Sequence, residues 1–371
     1  MNLADIPTPA LALDLGKFRR NCERMMAKCR SLGVGLRPHM KTLKAIEAAR
    51  VAVDSAHGGI AVSTLREAEY FAGHGIADIQ YAVCITPDKL ARAAEVMRTA
   101  PHFSFFLDSV GVAQAVAEFA RGQGVPLRAW IEIDSGDGRT GLEPHDQRLL
   151  EIAAILAASP AELVGVATHG GHSYGAPDAP AIADIANQER SAVVAAAERL
   201  RGAGFDLSGV SAGSTPTAVH MRSAEGLTEI RAGVYMAGDL FQVGIGSQEV
   251  EDIAASVVAT VISHKPERNQ IILDAGGLAL SKDSGPARPQ PSYGSLWDAA
   301  TGRPLGLAIT STNQEHGLVP AGEGDFDRLP IGAQVRIAPN HACMTAAAHE
   351  RYHVVEDGTE VMAVWERCNG W

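Results

Sequence analysis

The chain is short of cysteine, of positive charge and of long apolar runs, and each shortage removes a class of protein. Its five cysteines, Cys22, Cys29, Cys84, Cys343 and Cys368, are scattered through 371 residues. So few, and odd in number, they are no disulfide framework, and a reduced protein is the expectation. Lysine and arginine total 32 against 43 acidic residues, a formal net charge of -11. That balance argues against nucleic acid or an anionic membrane as partner. No apolar run is long enough to span a bilayer. The opening MNLADIPTPA lacks the basic and then apolar order of a signal peptide, so a cytoplasmic location is expected.

Also missing is a glycine-rich phosphate loop, GxGxxG or GxxxxGK[ST], after the first strand of an open doubly wound sheet. What stands there is RPHMKTLK, residues 37–44, with a lysine. From about residue 34 to 235 short apolar runs alternate with helical periodicity, the pattern of βα units. The spacing predicts eight strands: Val34–Arg37, Gly59–Ser63, Ile79–Val83, Phe103–Leu107, Arg128–Asp134, Leu163–Thr168, Leu207–Ser211 and Thr228–Arg231. Helices are predicted over Leu65–Gly73, Asp88–Thr99, Val110–Arg121 and Ile182–Arg201. Eight such units fit an α/β architecture, a (β/α)8 barrel, over residues 16–250. After about residue 250 the helices stop. Alternating runs at Ala255–Ser263, Gln270–Leu273, Leu307–Thr310, Gln334–Ala338 and His353–Trp365 predict a mainly β domain over 251–371. The last run is broken by a hairpin signal, Glu356-Asp357-Gly358-Thr359. The segment Thr8–Leu15 reads as a further strand able to join that domain.

A barrel gathers its chemistry beyond the C-terminal ends of its strands. There the sequence puts Lys41, Thr64, Asp108, Arg139, His169, the Gly213-Ser214-Thr215 turn and Tyr235. Beside an enclosed pocket, Lys41 is fit to form a Schiff base and, once released, to act as a base; alone it would read as a loop lysine. Gly213, Ser214 and Thr215 open a short helix, where backbone N–H groups and hydroxyls suit a phosphate, or an ordinary cap. Arg139 could hold a phenolic oxygen, or pair with Asp134 or Asp137. His169 could lie flat against an aromatic ring, or be structural. In Pro339-Asn-His341-Ala-Cys343, an extended backbone would point His341 and Cys343 the same way. Imidazole and thiolate make half of a zinc site, which substrate and water could complete. Gln314-Glu315-His316-Gly317 is a polar cluster between strands, and Asp274 stands at a strand-to-turn position.

Taken in order, TPALALDL, RPHMKTLK, EIDSGDGRTG, THGGHSYG, VSAGSTPT, TEIRAGVYMAGD, LDAGGLALSKD, QEHG and PNHACMT span nearly the whole chain. They resemble the D-serine dehydratase and D-threonine aldolase group of fold type III, alanine racemase-like pyridoxal-phosphate enzymes. The resemblance implies that Lys41 carries pyridoxal 5'-phosphate. It implies that Gly213, Ser214 and Thr215 hold the phosphate, and that Arg139, His169 and Tyr235 border the cofactor. It also implies that His341 and Cys343 bind a divalent metal, zinc first and manganese or magnesium as alternatives, and that the chain forms a homodimer. Two departures stand out: Leu43 where the family often has histidine, and Ala232 where it often has proline.

The activity implied by the resemblance is that of a lyase acting on β-hydroxy D-amino acids. Its leading substrate is D-serine, converted to pyruvate and ammonia, with D-threonine and 3-hydroxy-D-aspartate as other candidates. The freed Lys41 would take the Cα proton while the metal draws off the β-hydroxyl. An aldolase releasing glycine and an aldehyde is the alternative. A metal-free racemase, with Tyr293 as second base, and a non-catalytic cofactor-binding protein are the remaining readings.

Overall fold

An N-terminal strand, β1 (Ala10–Asp14), runs directly into helix α1 (Leu15–Ser31), and the βα alternation begins after it. The eight parallel strands are β2 (Gly35–Pro38), β3 (Ile60–Val62), β4 (Ile79–Cys84), β5 (Ser104–Leu107), β6 (Arg128–Ile133), β7 (Glu162–Thr168), β8 (Gly209–Ala212) and β9 (Glu229–Ala232). Between them lie α2 (Ile46–Ala52), α3 (Leu65–Gly73), α4 (Leu90–Met97), α5 (Val110–Gln123), α6 (Arg148–Ala157), α7 (Ala179–Gly202) and α8 (Thr215–His220). The structure is a computed structural model that describes residues 1–285, 292–356 and 358–371. All eight predicted barrel strands are present, each within two residues of its expected bounds.

The strands hydrogen-bond in the order β2-β9-β8-β7-β6-β5-β4-β3. A parallel bridge from His39 to Ala61 and the Met40 N–H donated to the Ala61 carbonyl at 2.8 Å join the two ends of this nearly closed barrel. Its interior needs bulk in one place and none in the next. A Cβ on Gly209 would stand 2.0 Å from the Trp130 ring, so glycine there makes room for the indole, whose Nε1–H donates to Ser104 Oγ at 3.0 Å. Helix α5 buries Ala113, Val116, Ala117 and Ala120, the i, i+3, i+4, i+7 stripe of an amphipathic helix, and Gly124 ends it in the left-handed region.

At the N-terminal ends of the strands lies a buried polar network. Glu229 accepts from Arg37 Nε at 2.8 Å, from Ser211 Oγ at 2.6 Å and from Gln80 Nε2 at 3.4 Å, and meets His57 Nε2 at 3.0 Å. Arg37 also pairs with Asp78 at 2.8 Å. Burial alone would push the Glu229 carboxyl up. Arg37, His57 and Ser211 outweigh it and hold the group far below the usual carboxylate range.

The remaining strands are β10 (Ala255–Lys265), β11 (Gln270–Leu273), β12 (Ser295–Asp298), β13 (Pro304–Ala308), β14 (Ser311–Thr312), β15 (Gly317–Pro320), β16 (Gln334–Ala338), β17 (Arg351–Val355) and β18 (Val361–Glu366). With β1 they form a sheet ordered β13-β12-β16-β10-β1-β17-β18, while β11, β15 and β14 make a ribbon off β10. Strand β1 is antiparallel to β10 and parallel to β17, so Thr8–Leu15 does contribute a strand here. Four helices complete the segment: α9 (Leu240–Gly244), α10 (Gly277–Leu280), α11 (Glu323–Arg328) and α12 (Ala342–Ala347). Of the predicted run Leu307–Thr310 only Leu307 and Ala308 are in a strand, the end of β13, and β12, β14 and β15 were not foreseen. Of the hairpin turn before β18, Asp357 lies outside the described residues.

Two compact units result. One holds Arg24–Lys41, Ala49–Gly233 and Gly370–Trp371, the other Met1–Glu23, Thr42–Ala48 and Val234–Asn369. By compactness the units part after Gly233, and Thr42–Ala48 goes with the β unit. All five cysteines are free thiols. No described helix is long and apolar enough to cross a membrane.

Candidate active site

The barrel unit brings a group of nitrogen bases and cations to the C-terminal ends of its strands. His39 follows β2, and its Nδ1 accepts from the Lys41 N–H at 3.4 Å. His169 follows β7 and bonds through Nδ1 to the Gly213 carbonyl at 3.0 Å. Since a carbonyl only accepts, that nitrogen of His169 carries the proton. Burial lowers the His169 imidazole to about 3; the Gly213 bond opposes this, and Lys41, Arg139 and Arg231 add to it. His39 is lowered well below its ordinary value by burial first, then by Lys41, Arg231, His169 and Arg139. Both rings are thus neutral at physiological pH, and both feel the same three cations. His169 and the loop at Gly213 are joined directly by the 3.0 Å bond, and Lys41, Arg139 and Arg231 lie near enough to both rings to disfavour their charging.

Two expectations change in detail. Lys41 was expected beside an enclosed pocket, but its side chain is exposed. The Gly213 and Ser214 amides were expected to be offered to a phosphate, but both are bonded within the protein. Gly213 N donates to Glu189 Oε1 at 2.8 Å and Ser214 N to Thr217 Oγ1 at 2.9 Å. Ser214 Oγ, 3.2 Å from Ser173 Oγ, caps α8 by accepting from Thr217 N. Any phosphate cradle here rests on the hydroxyl groups and on the turn's other donors. Arg139 is half exposed and stands 3.7 Å from Glu132, a partner not foreseen, and 3.9 Å from Asp137, one of the two expected as its alternative role. Thr64 is a helix cap, accepting from the Glu67 N–H, and Asp108 accepts from the Gly141 N–H at 2.9 Å.

Glu189 was missed. It lies on α7 within the buried stripe Ile182, Ala183, Ala186, Val193, Ala196 and Ala197, and its Oε1 also accepts from Gly170 N at 2.6 Å. One oxygen therefore ties the loop after β7 to the loop after β8. A carboxylate at an apolar-stripe position was the available signal. Arg231, buried on β9 with its guanidinium on Ser211 Oγ at 2.6 Å, and His39 were likewise not singled out.

In the β unit, His341 and Cys343 are brought together by a helix start, not by an extended strand. Strand β16 ends at Ala338, His341 is the N-cap of α12, and Cys343 lies in its first turn. His341 Nδ1 is 2.6 Å from Asp283 Oδ2, Ala342 N donates to Asp239 Oδ2 at 3.0 Å, and Thr42 Oγ1 is 3.1 Å from Cys343 Sγ. Burial disfavours the charged imidazole, but a hydrogen bond and the charge of Cys343, with Asp239 and Asp283, raise His341 to about 9. Burial raises Asp239 to about 6 against its backbone hydrogen bonds. The thiol and carboxyls around His341 thus favour positive charge on its ring. A carboxylate on Nδ1 of an imidazole that also interacts with a thiol is an arrangement suited to a metal-binding imidazole. Among the described residues no three or more His, Cys, Asp or Glu side chains form a metal cluster. The pair fits a site completed by substrate and water.

Tyr235 belongs to this unit, fully buried, with its carbonyl accepting from Gln248 Nε2 at 2.8 Å. Gln314, Glu315 and His316 are exposed in the turn joining β14 to β15. Asp274 accepts from Thr260 N at 2.7 Å, a structural role.

Comparison with known proteins agrees with this layout. Residues 13–240 match the alanine racemase N-terminal domain and residues 254–355 a serine dehydratase domain. A D-threo-3-hydroxyaspartate dehydratase of Delftia sp. (strain HT23) is 41% identical over 100% of this chain and 99% of its own. A D-serine dehydratase of Dictyostelium discoideum is 29% identical over 100% and 98%. A solved structure of a D-threo-3-hydroxyaspartate dehydratase with a cysteine-to-alanine mutation, in a metal-free form, superposes with a TM-score of 0.94, 41% identity and full coverage of both chains.

Proposed function

The chain belongs to the D-serine dehydratase and D-threonine aldolase family of fold type III, alanine racemase-like pyridoxal-phosphate enzymes, and from that premise we propose that it is a metal-dependent dehydratase of β-hydroxy D-amino acids. It is accordingly a lyase. The observation that carries the reading is the His341–Cys343 pair at the start of α12 with Asp283 on the imidazole.

Pyridoxal phosphate, when bound, supplies delocalisation of charge from Cα, and a divalent cation, zinc by the softness of the thiolate, supplies Lewis-acid polarisation of a hydroxyl. Lys41 Nζ is the anchoring amine and, once released, the base that takes the Cα proton. His169, neutral and fixed by the Gly213 carbonyl, presents a flat ring face. Ser214 and Thr215, with Gly213, hold the phosphate end, while Arg139 and Tyr235 border the cofactor. His341 and Cys343 hold the cation, and Asp283 keeps the imidazole turned toward it. Assembly as a cytoplasmic homodimer belongs to the same reading.

D-threo-3-hydroxyaspartate is the first substrate to test, because the relative named for it is the more similar of the two, 41% against 29%. D-serine is the second reading, favoured by the match to a serine dehydratase domain. The test is product analysis with pyridoxal phosphate and zinc, using D-threo-3-hydroxyaspartate, D-serine and D-threonine separately. Ammonia with a 2-oxo acid that keeps the carbon chain, lost in Lys41→Ala, is the expected result. Glycine with an aldehyde or glyoxylate would make the enzyme an aldolase instead.

A further inference from the structure

Arg367, just past β18, is a buried cation with an unusual set of partners. Its Nε donates to the Leu43 carbonyl at 3.1 Å and its Nη2 to the Thr42 carbonyl at 3.3 Å. Its Nη1 donates to the carbonyls of His349 at 3.0 Å and Ala346, and to Asn369 Oδ1 at 2.9 Å. The guanidinium also lies 5.5 Å over the Tyr352 ring, whose hydroxyl donates to the same Thr42 carbonyl at 3.3 Å. Among the described residues it has no carboxylate partner: its hydrogen bonds go to carbonyl oxygens, with the Tyr352 side chain beside it.

A guanidinium 8% exposed without a counter-ion is an expensive way to fill a core, since an apolar side chain would carry no desolvation cost. What it provides is geometry. A planar fork with five N–H groups can hold peptides from separate segments at once, which an ammonium cannot do. The segments it joins are those on which the chemistry proposed above depends. Thr42 is the residue bonded to Lys41, and its hydroxyl is 3.1 Å from Cys343 Sγ. Ala346 is in the last turn of α12, whose first turn carries Cys343 and whose N-cap is His341. The neighbouring Cys368 N–H adds a bond to the Lys44 carbonyl at 2.8 Å.

We propose that Arg367 is a positioning residue: one guanidinium fixes the Thr42–Leu43 peptide that leaves Lys41 and the helix that presents His341 and Cys343. It touches no reacting atom and acts through those two segments. The inference rests on the lysine and metal assignments above.

The experiment compares wild type, Arg367→Lys and Arg367→Gln, each with pyridoxal phosphate and zinc. Four quantities are read: zinc affinity by chelator competition, the pH titration of the bound cofactor's visible absorbance, kcat and KM, and the melting temperature. Loss of a residue that orients ligands costs roughly 10- to 100-fold in metal affinity or turnover, so both variants should lose zinc affinity and kcat on that scale. KM should stay within about threefold, as expected when transition-state geometry and not substrate binding is lost. The absorbance titration should shift, and Arg367→Lys should not rescue. Should the variants fail to fold, Tyr352→Phe removes one bond to the same carbonyl, and a smaller change in the same direction is expected. A lower melting temperature with unchanged zinc affinity, kcat and absorbance titration would overturn the proposal. Wild type that takes up neither cofactor nor zinc would fail the parent reading, and the role of Arg367 would fall with it. Wild type that binds both while the variants match it would sink the Arg367 inference alone.

Discussion

Replacing Glu189 gives the sharpest test of how the barrel loops are held. Its Oε1 accepts from Gly170 N at 2.6 Å and Gly213 N at 2.8 Å in a fully buried position. Glu189→Ala leaves two amides unsatisfied at about 1–3 kcal/mol each, a loss of about 2–6 kcal/mol before any cavity cost. Glu189→Gln keeps a carbonyl oxygen for both amides, so its cost should stay within about 1 kcal/mol. Burial raises the Glu189 carboxyl, opposed by the Thr217 hydroxyl and the two amides. A carboxyl whose folded value lies above its unfolded value contributes most below the unfolded value, and loses that contribution as pH rises through the folded one. The glutamine variant carries no such ionisation, so it should gain on wild type as pH rises above the ordinary carboxylate range. Urea unfolding followed by circular dichroism at several pH values reads all three quantities. If Glu189→Ala lies within about 1 kcal/mol of wild type, or if Gln is as damaging as Ala, the carboxyl is not the clamp described here.

On the proposed metal site, Asp283→Asn weakens the group that holds His341, so zinc affinity should fall roughly 10- to 100-fold; Cys343→Ala, which would remove a proposed ligand, should fall further, both measured by chelator competition. Glu229→Gln breaks a buried pair with Arg37 and should cost about 3–5 kcal/mol at neutral pH. Because the Glu229 carboxyl is held far below its unfolded value, its contribution is present above that unfolded value and is lost in acid. Wild type and variant should therefore converge as pH falls, which thermal melts at pH 7 and pH 3 would show. Gly213 has φ +127 and a Cβ there would stand 2.5 Å from the Arg231 carbonyl oxygen, so Gly213→Ala should cost at least about 1–3 kcal/mol and weaken uptake of pyridoxal phosphate, followed by absorbance titration.

The barrel was legible in the sequence because its eight strands are short, continuous apolar runs, each followed by a helix with an apolar stripe. Lys41, His169 and the Gly213 turn could be singled out for the same reason: a strand end marks a place, and the residue type there suggests a use to be tested. The β unit was less legible. Ser295–Asp298 and Gly317–Pro320 are four residues each, too short to show a period. His341 and Cys343 were found as a pair, but the wrong backbone was assumed. The helix start depends on distant partners, Asp239 on the Ala342 amide and Asn340 on the Asp283 carbonyl at 2.7 Å. Such long-range hydrogen bonds leave no periodic trace. Arg367 shows the limit most clearly, since its partners at Thr42 and Leu43 are separated from it by nearly the whole chain.

Strand β1 also sets an order of events during synthesis. Ala12 pairs with Ser256 in β10 and with His353 in β17. At a ribosomal pace of roughly 5–20 residues per second, β1 waits on the order of 15–70 s for its last neighbour to emerge. Through that interval an apolar strand sits in the nascent chain with both edges unsatisfied, open to pairing with other chains. A ribosome stalled before β17 would release a product with one of those edges still open. Yield in the cell should therefore depend on chaperone capacity and on uninterrupted translation more than the stability of the finished protein would suggest.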